Sequence, residues 1–157
     1  MSMICQTTIA RPTAISGIGL HTGQRINMTL RPADAGVGIV FHRKVENQTV
    51  TIEATAANVV DTRMATVLGK GDVRVSTVEH LLSALSAYGV DNLHIDIDGP
   101  EVPIMDGSAK PFVAMIQQAG LRELGVSRRV VRIKKPVRVG NGDSYCELVP
   151  DDESVFE

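Results

Sequence analysis

A two-layer α+β fold, a sheet with two main helices on one face, is predicted by three features of the sequence. Short apolar runs with period-two alternation recur along the chain, and two longer runs carry helical periodicity. These helical runs do not alternate strictly with the strands, which argues for an α+β sandwich with a mostly antiparallel or mixed sheet. Each is followed by a glycine, Gly89 or Gly120, the residue suited to the left-handed backbone that ends a helix.

In chain order, strands are predicted over 14–20, which passes through Gly17 and Gly19, over 25–30, where Ile26, Met28 and Leu30 alternate, and over 38–41. His21-Thr22-Gly23 and Arg31-Pro32-Ala33-Asp34 read as turns between them. Further strands are predicted over 50–52, 65–68, 93–97, 130–133, 137–139 and 145–149, and helices over 76–88 and 109–119. In the first helix Val78, Leu81, Leu82, Leu85 and Tyr88 form one apolar stripe. Ser83, Ala84, Ser86 and Ala87 occupy what should be its solvated face, and no charge lies between Leu81 and Val90. Such a helix is expected to pack on both sides, against its own sheet and against another layer.

Composition narrows the function classes. The chain has 157 residues, 43% of them hydrophobic, enough for one core, and with 3% aromatics and no Trp that core must be built mainly from Val, Ile, Leu, Met and Ala. Sixteen Lys and Arg against eighteen Asp and Glu give a net charge of -2, which argues against a nucleic-acid or membrane-coating protein. Arg128, Arg129, Arg132, Lys134, Lys135 and Arg138 crowd one segment without interleaved aromatics, and are read as a solvated edge strand, with a phosphate-bearing ligand as the alternative use. Cys5 and Cys146 show neither CxxC nor metal spacing, which suits reduced thiols in a cytoplasmic protein. No signal peptide and no run long enough to span a bilayer is visible.

The candidate chemistry centres on Ser76-Thr77-Val78-Glu79-His80-Leu81, where a carboxylate stands beside an imidazole at a helix start. Ser76 and Glu79 also fit a capping box, in which each side chain bonds the other residue's backbone. His80 alone reads more readily as a packed or partly exposed histidine than as a metal ligand, because catalytic zinc takes about three protein ligands. The familiar zinc signatures are missing here, since His80 is followed by Leu81 and Leu82 and not by Glu and a second His, and Ser76 stands where the inverted signature needs its first His. His21 sits in a glycine-flanked turn that lets backbone approach a ligand closely. Asp106 precedes the second helix, as a turn or cap residue or as a carboxylate orienting a ligand histidine. His94 is expected on the outer face of its strand and His42 at an exposed strand end.

Several of these motifs together resemble one family. Ser-Gly-Ile-Gly-Leu-His-Thr-Gly (16–23), Asp61-Thr62 with Thr66, the 76–81 motif, Asp91-Asn92 and Glu-Val-Pro-Ile-Met-Asp-Gly-Ser-Ala (101–109) are similar to the amino-terminal half of the UDP-3-O-acyl-N-acetylglucosamine deacetylases, zinc amidases of lipid A biosynthesis in Gram-negative bacteria. The resemblance implies that zinc polarises the substrate's acetamide and lowers the pKa of a bound water from about 16 to about 7. It implies Glu79 as the general base and His80 as one zinc ligand, with His21, Asp106 and Thr62 lining the site or orienting its groups. Met64 and Ala65 fall beside it without an assigned role.

Family members have two related domains. The resemblance therefore implies an amino-terminal α+β domain over 1–126 and, over 127–157, the crossover and first strands of a second domain. That second domain would carry the remaining zinc ligands in a His-x-x-x-Asp pattern. The apolar residues Val155 and Phe156 read as the start of a further run, as in a truncated chain. The 157-residue chain is expected to be inactive alone, to retain no stoichiometric zinc, and to self-associate through the 76–88 helix face. A non-catalytic binding module that keeps the fold is the alternative.

Overall fold

A computed structural model describes residues 4–152; the apolar run at Val155 and Phe156 lies outside the described residues. The strands are β1 (Cys5–Ile9), β2 (Thr13–Ile18), β3 (Arg25–Pro32), β4 (Ile39–Val45), β5 (Gln48–Glu53), β6 (Val59–Asp61), β7 (Val67–Lys70) and β8 (Val73–Val75). Helix α1 (Glu79–Ala87), β9 (Leu93–Ile97), helix α2 (Lys110–Ala119), β10 (Leu121–Ser127), β11 (Val137–Asn141) and β12 (Ser144–Leu148) follow.

The main sheet has the order β2-β3-β9-β4-β5. Only the β4–β9 pairing is parallel, so the sheet is mixed, as predicted. Alternation sends Ile26, Met28 and Leu30 of β3 and Leu93, Ile95 and Ile97 of β9 to one face, with Met28 opposite Ile97 and Leu30 opposite Ile95. These residues form one core with Leu81, Ala84 and Leu85 of α1 and Phe112, Met115 and Ile116 of α2. The opposite sheet face is polar, and Asn27, Thr29, His42, Lys44, Asp96 and Asp98 line a shallow recess of about 290 Å³ there. The two-layer α+β sandwich is thus realised, with both helices packed on one side.

Several elements differ from the sequence reading. β4 continues through His42, Arg43 and Lys44 because these polar residues pair with β5, so His42 lies inside a strand and not at its end. Arg31 and Pro32 extend β3 beside β9, and the turn falls at Ala35 and Gly36. Residues 130–133 form no strand. The extended segment lies earlier, in β10, which pairs antiparallel with β1. Neither of those strands shows clean apolar alternation, which is why both escape a periodicity search. Arg128, assigned to a solvated edge, is instead tied by its guanidinium to Asp91 Oδ2 at 3.0 and 2.9 Å.

Ala84 belongs to the buried stripe of α1, and its exposed residues are Ser83, Ser86 and Ala87. Gly89 and Gly120, at φ 65° and 70°, end the two helices as expected. Tyr88 Oη accepts from Gln117 Nε2 at 2.6 Å, joining the region after α1 to α2. Every residue of the β11–β12 hairpin is exposed, and the Arg138 guanidinium stacks 3.5 Å from the Tyr145 ring centre. Cys5 and Cys146 form no disulfide. Among the described residues no helix is long and apolar enough to cross a membrane.

Candidate active site at the start of α1

The 76–78 segment reaches α1 by crossing the chain at 100–102. Ser76 N donates to Pro100 O at 3.0 Å and Val102 N to Ser76 O at 2.9 Å, forming a short parallel bridge. Thr77 then takes a left-handed backbone, φ 56°, although it is β-branched and buried. That conformation is costly for a branched residue, and it survives only where its surroundings over-determine it. The turn it makes lets α1 begin at once, at Glu79.

Glu79 does not close a capping box. The helix cap is Val78, with no side-chain cap bond, because the bridge to 100–102 occupies the Ser76 backbone. The carboxylate turns instead to the 61–66 loop, where Glu79 Oε2 accepts from Thr66 N at 3.0 Å while Val78 N approaches Thr66 O at 3.4 Å. One carboxylate oxygen is therefore anchored to a backbone amide. His80 follows, half-buried. Its carbonyl accepts from Ser83 Oγ at 2.9 Å, and among the described residues its imidazole has no hydrogen-bond partner.

The glycine-flanked turn is held by a residue the sequence reading gave no role. Glu101, fully buried, accepts from Thr22 N at 2.8 Å, Thr22 Oγ1 at 2.6 Å and His21 N at 3.2 Å, and from Thr77 Oγ1 at 3.3 Å. Burial pushes its carboxyl pKa up, but the hydrogen bonds from the Thr22 hydroxyl and the Thr22 and His21 amides outweigh this and leave it below the ordinary value. A Cβ on Gly19 would collide with that carboxylate, and one on Gly17 would stand 2.8 Å from Met105 Sδ and 2.9 Å from Pro103 Cβ. Ile104 N also donates to Ile18 O at 3.0 Å. The 16–23 and 101–109 motifs are thus one packed unit, and Glu101 connects it to the approach to α1.

The other candidates stand in local structure. His21 is exposed, and its backbone amide is what the turn uses. Asp106 Oδ1 accepts from Ser108 Oγ at 2.7 Å and Ser108 N at 2.9 Å, a tight turn before α2, and these bonds hold its carboxyl below the usual range. Thr62 is exposed in the bend after β6, between Asp61 and Arg63, whose side chains pair. Met64 is 84% exposed in the same loop. On the far side of the sheet His94 faces outward as expected, with His94 Nδ1 2.9 Å from His42 Nε2. Burial first, then the His94 charge, lowers the His42 pKa.

The sequence profile of the UDP-3-O-acyl N-acetylglycosamine deacetylase (LpxC) family matches residues 6–157. The chain belongs to this family. It is 56% identical over 148 residues to the UDP-3-O-acyl-N-acetylglucosamine deacetylase of Geobacter sp. (strain M21), covering 94% of this chain and 48% of that protein. The deacetylase of Myxococcus xanthus (strain DK1622) is 51% identical over 145 residues, covering 92% and 46%. That of Vibrio cholerae serotype O1 is 48% identical over 149 residues, covering 94% and 49%. The chain spans about half the length of the curated relatives it matches.

Zinc, which the family resemblance implies, is not fitted by this half alone. Among the described residues no three His, Cys, Asp or Glu side chains group as ligands for a metal ion, whereas catalytic zinc takes three. Three features of the site escaped the sequence reading: the Thr66 amide, the left-handed Thr77 and buried Glu101. Backbone donors leave no residue-type signal, and a threonine argues against positive φ. Only the position of Glu101, at the head of a Pro- and Gly-punctuated motif, could have drawn attention to it.

Proposed function

We propose that this chain is the amino-terminal half of a zinc-dependent deacetylase acting in the cytoplasm on UDP-3-O-(3-hydroxyacyl)-N-acetylglucosamine in lipid A biosynthesis. The substrate's acetamide is hydrolysed to a free amine and acetate. The observation that carries this reading is the Glu79–His80 pair at the start of α1, with Glu79 tethered by one oxygen to the Thr66 amide. Glu79 is the general base: its second oxygen, without a partner among the described residues, takes the proton of the water that attacks the acetamide carbon. His80 is one ligand of the zinc, and the other ligands belong to the half of the parent protein beyond Glu157. His21, Asp106 and Thr62 line the site or orient its groups. Residues 1–126 form the first domain, and 127–157 the crossover and first strands of the second.

On this reading the 157-residue chain is inactive alone and holds no stoichiometric zinc. Calorimetric titration tests this directly, with the chain expected to show no tight binding and the parent protein one ion per chain, lost in His80→Ala. Tight one-to-one binding by the chain would contradict it. The competing reading, a non-catalytic binding module, draws on the lack of a metal-ligand cluster among the described residues. Reading the gene beyond Glu157 separates the two, since a continuing frame with His-x-x-x-Asp favours the enzyme and a stop codon the module.

A further inference from the structure

One buried carboxylate touches both loops that frame the start of α1. Glu101 Oε1 takes three donors from the turn, His21 N, Thr22 N and Thr22 Oγ1, while Oε2 is shared between His21 N at 3.2 Å and the Thr77 hydroxyl at 3.3 Å. The backbone on either side is equally constrained, because Ser76 and Glu101 are bridge partners and Val78 N leans on Thr66 O. Thr77 is left with a conformation it would not choose. Its hydroxyl contact to Glu101 is the side-chain interaction that accompanies this φ. Two residues later stands Glu79, whose carboxylate must meet the Thr66 amide for the tether to exist.

We propose that Glu101 is a positioning residue of this site: by holding Thr77 left-handed, its carboxylate sets the entry of α1 and with it the place of the Glu79 carboxylate. It acts through Thr77 and touches no reacting atom. The importance of this for catalysis rests on Glu79 being the general base, but the positioning itself does not. A glutamine at 101 tests the idea closely. It keeps the shape and one oxygen for Thr22, but its NH₂ cannot accept from Thr77 Oγ1. Thr77→Val removes the hydroxyl while keeping the branched side chain that disfavours positive φ, and Thr77→Ser retains the hydroxyl.

The test is amide hydrogen exchange by NMR on the 157-residue chain, comparing the Thr66 amide with that of Ile95 in the central strand β9. The expected result is that Thr66 exchanges roughly fivefold to tenfold faster in Glu101→Gln and in Thr77→Val, with Ile95 within about twofold and Thr77→Ser close to the parent sequence. An unchanged Thr66 amide, or one that accelerates by the same factor as Ile95, overturns the proposal, because that is what a merely structural residue would give. If Glu101→Gln does not fold, Thr77→Val against Thr77→Ser decides by the same criterion. Exchange does not report deacetylation, so failure here leaves the enzymatic reading standing, and an inactive parent protein leaves the exchange result standing.

Discussion

A buried carboxylate stays ionised only when enough donors replace its lost water, and Glu101 has an amide pair and two hydroxyls to do so. Its folded-state pKa lies below the ordinary 4.5. A depressed carboxyl contributes stability that is fully present above the unfolded value and lost as pH falls through the folded one. The urea midpoint of the unsubstituted chain should therefore exceed that of Glu101→Gln near neutral pH, with the gap narrowing only below about pH 4.5. A gap independent of pH would argue that shape, not charge, is what Glu101 supplies. Gly19→Ala places a methyl against the same carboxylate, and a loss of about 1–3 kcal/mol in urea unfolding is expected. The sequence made His21, Glu79, His80 and Asp106 visible as chemistry-bearing types. It could not show that His21 serves the turn through its amide or that Asp106 bonds Ser108, because those are facts of backbone geometry.

At the scale of the element, α1 starts where tertiary contacts put it. The stripe of Val78, Leu81 and Leu85 was legible, being periodic and apolar, and so was the stop at Gly89. The start was not. The capping-box pattern is satisfied in the sequence yet unused, since Ser76 is engaged by Pro100 and Val102 and Glu79 by Thr66. Ser76→Ala should consequently cost less than about 0.5 kcal/mol in thermal or urea unfolding, well short of the roughly 1 kcal/mol of a working cap. Leu81→Ala, in contrast, empties a fully buried position and should cost about 2–5 kcal/mol. β1 and β10 were missed for the opposite reason. Their pairing depends on strands far apart in sequence, with a register shift after Cys5 and little apolar alternation to announce them.

For the molecule as a whole, the fold class could be read because it follows from counting periodic runs, whereas the strand order could not. β9 inserts between β3 and β4 as their antiparallel and parallel partner, and alternation of side chains is the same in either direction. The helix layer exposes Ser83, Ser86 and Ala87 of α1 without a charge among them. We propose that the isolated chain self-associates through this face. Light scattering at high concentration should show a species above monomer mass that Ser86→Glu returns to monomer, and a monomeric unsubstituted chain would count against it. In the parent protein the Thr66-tethered carboxylate is expected to act as the general base. Acetate release from UDP-3-O-acyl-N-acetylglucosamine by the parent, with and without Glu79→Gln, tests it most directly. A fall in kcat of about 10²–10⁴-fold with the fold intact is expected if Glu79 is the general base; a variant that retains kcat within a few-fold would rule that role out.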